Sequence, residues 1–246
     1  MSSQINTMKD IIGYAAKTYG ENPAIRYKVR KEVVTKTYLD LKRDSEAFSR
    51  ALEGMGMLGK HVAVIGPTTY EWIISYFGAA DSGCVIVPLD AQLPAADVCE
   101  LLNRADISVL VYDELRRDVA ELAGEKCPEI KCMVSMQAKE DTEQAKSLDV
   151  LLKNHAGSFS CELDPDKLCA ILFTSGTTGK SKGVMLTHRN LADNASCLDM
   201  KIPAGTVSMT LLPINHVYCL TMDIIKESTS AWSSASMTLS CMCQKI

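Results

Sequence analysis

The sequence predicts an α/β fold, with helices on both faces of a largely parallel sheet, and two observations carry that prediction. Between residues 62 and 134, short apolar runs alternate with segments whose apolar residues recur at helical spacing. These runs are apolar throughout instead of alternating with polar residues, as strands covered on both sides must be. A chain of 246 residues, 47% of them hydrophobic, has ample apolar surface for a large core.

Taken in order, Met8, Ile11, Ile12, Ala15 and Ala16 recur at helical spacing, so 7–19 reads as an amphipathic helix. Asn22 and Pro23 turn the chain into two short strands at 24–27 and 33–37. Thr37 stands before Tyr38, Leu39 and Asp40, the pattern of an N-cap with an acidic third position. The helix it opens puts Leu41, Phe48, Ala51 and Leu52 on one face and stops at Gly54 and Gly56. Strands follow at 62–65, 84–87, 108–112 and 131–134, separated by helices at 70–81, 95–104 and 114–123. Residues 138–145 are polar and charged and read as a surface loop; 148–152 begin a short helix and 157–166 form a linker.

The formal charge of −4 and a pI near 5.6 argue against nucleic acid or an anionic membrane as the main partner. Ten cysteines are scattered through apolar runs, without the paired spacing of a zinc or disulfide framework. They read as small buried thiols in a reducing cytosol. The N-terminal residues carry no basic start or apolar core of a signal peptide, and no apolar run approaches a membrane span. The expectation is therefore a cytoplasmic protein with no transmembrane segment.

The stretch that carries chemistry runs from Leu168 to Leu186: an apolar run to Phe173, a segment of Gly, Ser, Thr and Lys, then Val184, Met185 and Leu186. Gly176, Gly179 and Gly183 let the backbone turn sharply and approach a ligand closely. Hydroxyls and free N–H groups can donate to phosphate oxygens, and Lys180 and Lys182 supply counter-charge. From 167 to 192 there are four basic residues, Lys167, Lys180, Lys182 and Arg189, and no Asp or Glu. A solvated glycine-rich loop would not need that combination. A Walker P-loop requires four residues between its first Gly and its Gly-Lys-Ser/Thr; here only two separate Gly176 from Gly179-Lys180-Ser181. Gly176-Thr177-Thr178-Gly179 also matches the clamp of a KH-type RNA-binding module, which the acidic charge disfavours.

The segment 174–184 resembles Thr-Ser-Gly-Thr-Thr-Gly-x-Pro-Lys-Gly-Val, the signature of the adenylate-forming (AMP-binding) synthetases, departing from it where Ser181 replaces the usual proline. That family includes acyl-CoA synthetases, luciferases and the adenylation domains of peptide synthetases. The likeness extends through Thr37-Tyr38, Glu71-Trp72, the run 79–90, the helix start at 186–191 and Leu211-Leu212-Pro213-Ile214-Asn215-His216. It covers Met8 to about Lys226 and is most similar to the long-chain fatty acid CoA ligases. The resemblance implies that 1–226 forms part of the large N-terminal domain of an adenylate-forming enzyme, with mostly parallel sheets flanked by helices.

The activity it implies is ATP-dependent conversion of a carboxylic acid, by the same likeness a fatty acid, to acyl-AMP and then to acyl-CoA. ATP, Mg²⁺ and CoA would be its cofactor and co-substrates. By the same resemblance, Thr174, Ser175, Gly176, Thr177, Thr178, Gly179, Lys180, Lys182 and Gly183 wrap the β- and γ-phosphates, and Lys182 stabilises the departing pyrophosphate. Thr174 either reaches a bridging Mg²⁺ or is a plain strand residue. His216 either lines the acid site near the reacting carboxylate or is a satisfied core histidine. His188 and Arg189 fit a helix N-terminus better than catalysis, and His61 and His155 have no neighbours in sequence that suggest chemistry.

The family's adenine motif, ribose motif and C-terminal lysine domain are missing from this chain, so it is expected to be a truncated and inactive form. Residues 227–246 are rich in Ser without a strand or helix period, and one base restored after the Lys226 codon permits an apolar strand and a turn instead. The tail is therefore expected to be out of frame or, if it is as written, disordered or loosely packed with an incomplete sheet edge exposed. Two alternatives to a CoA ligase stay open: a domain loading a carrier-protein thiol, and a non-catalytic nucleotide-binding remnant.

Overall fold

The computed structural model describes residues 5–174, 181–197, 208–210 and 237–239. Helix α1 (Met8–Tyr19) is opened by a capping box: Asp10 N–H donates to Thr7 Oγ1 (3.2 Å) and Thr7 N–H donates back to Asp10 Oδ2 (2.9 Å). Strands β1 (Pro23–Val29) and β2 (Glu32–Thr37) form an antiparallel hairpin. Thr37 and Asp40 then repeat the capping box at the start of α2 (Tyr38–Gly54). This helix ends as its glycines predict. Gly56, at φ 70°, lets Met57 N–H reach back to Leu52 O (2.8 Å) and its own N–H reach Glu53 O (2.9 Å).

The alternation that follows is β3 (His61–Ile65), α3 (Tyr70–Asp81), β4 (Val85–Leu89), α4 (Ala95–Arg104) and β5 (Ile107–Tyr112). Next come a 3₁₀ turn at Glu114–Arg116, α5 (Arg117–Lys126), β6 (Cys132–Ser135), β7 (Lys146–Ser147) and α6 (Leu148–Asn154). The chain continues through β8 (Leu168–Thr174), β9 (Lys182–Thr187), α7 (His188–Cys197), β10 (Ser208–Thr210) and β11 (Met237–Leu239). A seven-stranded sheet has the order β7-β6-β5-β3-β4-β8-β9, parallel except for the antiparallel pair β8–β9. A four-stranded sheet has the order β10-β11-β1-β2.

Two cores sit on opposite faces of the larger sheet, because successive strand residues point opposite ways. Val62, Val64, Ile86, Val109, Val111 and Ala170 pack with α1, α2, α3, α6 and α7. Ala63, Ile65, Val87, Leu110 and Ile171 pack with α4 and α5. Phe48 and Phe77 are fully buried in the first core, each contributing about 1.5–3 kcal/mol over exposure. There α2 and α3 approach closely at Gly78, whose carbonyl accepts a hydrogen bond from Ser49 Oγ (2.8 Å). At the C-terminal end of α3 the Asp81 side chain is buried, and its Oδ1 has no hydrogen-bond partner.

Three expectations need correction. The helix placed at 114–123 starts with a 3₁₀ turn, because Asp113 caps Leu115 N–H (2.9 Å), and becomes α-helical only from Arg117. The strand placed at 84–87 begins one residue later and continues through Pro88 to Leu89. Pro88 has no N–H to give, and the β4–β8 pairing is confined to Ile86 with Ala170. Within the tail expected to lack order, Met237–Leu239 is a strand lying parallel between β10 and β1. Among the described residues, no helix is long and apolar enough to cross a membrane.

Candidate functional site

The hairpin β8–β9 holds the chemistry-bearing stretch. Its ladder pairs Ala170 with Leu186, Leu172 with Val184, Phe173 with Gly183 and Thr174 with Lys182. Because β8 is parallel to β3, β4, β5 and β6, Thr174 emerges at the same carboxyl edge as their ends. Ligands of open α/β sheets are bound outside that edge. Thr174 and Lys182 are both exposed there, and Thr174 Oγ1 donates a long hydrogen bond to Lys182 O (3.5 Å). No carboxylate among the described residues pairs with the Lys182 ammonium. The structure thus brings together Thr174, Lys182 and Gly183. Ser175, Gly176, Thr177, Thr178, Gly179 and Lys180 lie outside the described residues, as do His216, Leu211, Leu212 and Tyr218.

Gly183 is tightly placed, and a side chain there would make Ile171 give way by a few tenths of an ångström. A Cβ there would stand 3.0 Å from Ile171 Cγ2 and 3.5 Å from Phe173 Cε1. Arg104, which nothing in the sequence singles out, donates from Nη2 to the carbonyl of Ser181 (2.9 Å), with its guanidinium carbon 5.6 Å from the Phe173 ring centre.

Elsewhere on the carboxyl edge, polar contacts fix the strand ends. Asp113 accepts from Gln137 Nε2 (2.5 Å), and Arg116 Nη1 donates to Ala91 O (2.6 Å). Gly66 fits only as glycine, since a Cβ would lie 2.6 Å from Asp113 Cβ. Burial raises the Asp113 carboxyl above its ordinary range, against the hydrogen bonds from Leu115 and Gln137.

Beyond β9, Thr187 and Asn190 cap α7 reciprocally: Thr187 N–H donates to Asn190 Oδ1 (3.0 Å) and Asn190 N–H to Thr187 Oγ1 (3.1 Å). His188 is buried, its Nδ1 accepting from Met8 N–H (3.5 Å), and burial lowers its pKa. Arg189 pairs with Asp166 through Nε (2.7 Å) and Nη2 (3.2 Å). Both therefore serve the helix start. His61 Nδ1 lies 2.6 Å from Ala105 O and His155 Nδ1 2.9 Å from Leu151 O, which are structural contacts. A cavity of about 850 Å³ beside α5 is lined by Glu114, Glu121, Glu125 and Glu143 against Arg117, a balance unsuited to polyphosphate.

Residues 13–226 match the AMP-binding enzyme family. The chain belongs to that family. It is 31% identical, over 223 residues, to the fatty acid–[acyl-carrier-protein] ligase ScoC of Streptomyces coeruleorubidus, covering 87% of this chain and 40% of that protein. It is 28% identical over 222 residues to a crotonobetaine/carnitine–CoA ligase of Salmonella paratyphi B, covering 83% and 41%. Among solved structures, the N-terminal domain of FACL13 from Mycobacterium tuberculosis aligns with a TM-score of 0.83 at 22% identity, covering 95% of this chain and 57% of that one. The anthranilate CoA ligase AuaEII aligns with a TM-score of 0.85 at 17% identity, covering 97% and 45%. These structures share the fold with this AMP-binding family chain, which spans 40–41% of the length of those two curated relatives. The mixed sheet flanked by helices is shared with the N-terminal domain of FACL13, 57% of which this chain covers.

Proposed function

We propose that this chain carries the polyphosphate-gripping part of an ATP-dependent acid–thiol ligase. The observation that carries the reading is the pairing of Thr174 with Lys182 at the carboxyl edge of the sheet, inside the stretch that matches the family. In this reading the substrate carboxylate attacks the α-phosphorus of ATP, forming acyl-adenylate and releasing pyrophosphate. A thiol then takes the acyl group as thioester and AMP leaves. The Lys182 ammonium neutralises charge gathering on the departing pyrophosphate, and backbone amides of 174–183 orient it. The Thr174 hydroxyl is exposed and would be a residue able to help hold a Mg²⁺ ion. That ion would screen the phosphate charge. A fatty acid as substrate is supported by the name of the 31% identical relative.

Two thiols are supported by the relatives' names: CoA and an acyl-carrier protein. Acyl-transfer assays with each acceptor separate them. His216 in the acid pocket remains part of this proposal. So does the reading that the chain binds nucleotide without completing the cycle, since the relatives extend well beyond the matched segment. The family match ends at Lys226; the reading of 227–246 as out of frame, against which the pairing of Met237–Leu239 with β1 stands, is tested by DNA across that codon. The functional reading is tested by calorimetric titration with MgATP and with pyrophosphate, and by acid-dependent ATP–pyrophosphate exchange. Binding that Lys182→Ala weakens supports it, with or without exchange; no binding of either ligand, or binding that Lys182→Ala leaves unchanged, rejects it.

A further inference from the structure

We propose that Arg104 is a positioning residue for the phosphate-binding hairpin, fixing the place of Ser181 and through it of Lys182. Arg104 is the last residue of α4, 77 residues before the carbonyl it holds. One guanidinium edge donates to Ser181 O at 2.9 Å while the plane lies near the Phe173 ring, 5.6 Å from its centre. Phe173 and Ser181 flank the two ends of the loop, one before Thr174 and one before Lys182. A single cation on α4 therefore touches both arms of the hairpin.

The arrangement depends on two further residues. Gly183 faces Phe173 across the ladder, and its lack of a side chain leaves the space in which that ring lies against β9. Ser181 has no ring to fix its own φ, so the backbone there gains more from an outside anchor than a proline would. The plain alternative is a solvated arginine paired with Glu100. That contact is 3.9 Å long, with both side chains substantially exposed, and such pairs contribute little. Lysine cannot reproduce the pair of contacts equally, because its single ammonium must choose between the carbonyl and the ring while a guanidinium can serve both. The expected strength is that of an exposed cation–ring contact with a modest addition from a solvent-exposed hydrogen bond, roughly a three- to tenfold effect.

The ligand readout rests on the function proposed above; a second readout does not. The full chain and its Arg104→Ala, Arg104→Lys, Phe173→Leu and Arg104→Ala/Phe173→Leu variants are compared under native conditions. The first readout is the rate of tryptic cleavage after Lys182, the second the affinity for inorganic pyrophosphate, each at matched thermal midpoint. Arg104→Ala is expected to speed cleavage about three- to tenfold, with Arg104→Lys recovering less than half of the change on a logarithmic scale. The double variant should be no worse than the stronger single one, since the two side chains act as a unit. Pyrophosphate affinity should fall by a similar factor in Arg104→Ala. Unchanged cleavage in Arg104→Ala, full recovery by lysine, or additive effects in the double variant would each overturn the proposal. If the unaltered chain binds no pyrophosphate, the functional reading falls and cleavage alone decides the role of Arg104.

Discussion

Lys182 stands directly opposite Thr174 in the β8–β9 ladder, so the residues that open and close the loop are held one strand spacing apart. Both are exposed at the carboxyl edge, where a polyphosphate would meet them together. Lys182→Ala should weaken pyrophosphate binding about ten- to hundredfold, the worth of a hydrogen bond to a charged group. Thr174→Ala should have a smaller effect that grows when Mg²⁺ is present. Calorimetry with and without the metal measures both, and equal losses in the two conditions would remove Thr174 from the metal.

A methyl at Gly78 would lie 2.6 Å from Ser45 O and 3.0 Å from Phe48 Cβ, inside the α2–α3 contact. In an exposed helix the change from glycine to alanine stabilises by roughly 1 kcal/mol. Here overpacking reverses the sign, and Gly78→Ala should cost about 1–3 kcal/mol. Urea unfolding gives the answer, and a stabilised variant would show that the two helices part easily.

Burial holds the Asp81 carboxyl up at about 8, against an ordinary value of 3.8. Glu46 and Asp10 push in the same direction, while Lys9 and Lys42 oppose them. Between those two values the folded chain binds a proton that the unfolded chain has released. This contribution to stability is therefore complete below pH 4 and is lost as pH rises through 8. Asp81→Asn should flatten that decline and be more stable than the parent at pH 8, by on the order of a few kcal/mol. Parallel stability curves for the two proteins between pH 4 and 8 would contradict it.

Thr187→Ala removes the reciprocal cap between β9 and α7 and should cost about 1 kcal/mol. Hydrogen exchange localises the loss to the first turn of α7. A uniform loss across the sheet would mean that Thr187 supports more than its helix.

The strands β3, β5 and β6 were legible because each contains an apolar run (62–65, 109–112 and 132–134), and both faces of the sheet are covered. Capping residues made α2 legible at both ends, since Thr37 with Asp40 and Gly56 act within a few residues. Two-residue β7 carries no period to detect, and its pairing with β6 comes from tertiary register. The 3₁₀ turn after Asp113 was hidden by an apolar spacing that suits either kind of helix. Within the site, Lys182 and Gly183 could be named from the loop sequence. Arg104 could not, because its partners are distant in sequence and no local pattern marks an arginine at the end of a helix as a clamp.

Residues Ile25, Arg26 and Tyr27 pair with Met237, Thr238 and Leu239, joining the first strand among the described residues to the last. A polypeptide emerging from the ribosome would display β1 and β2 without their partner strand until residues 237–239 have been made. At about 5–20 residues per second, the wait is on the order of ten seconds or more. Nascent chains of this protein should therefore need shelter along that open flank, and a chaperone that binds bare strand edges is the natural candidate.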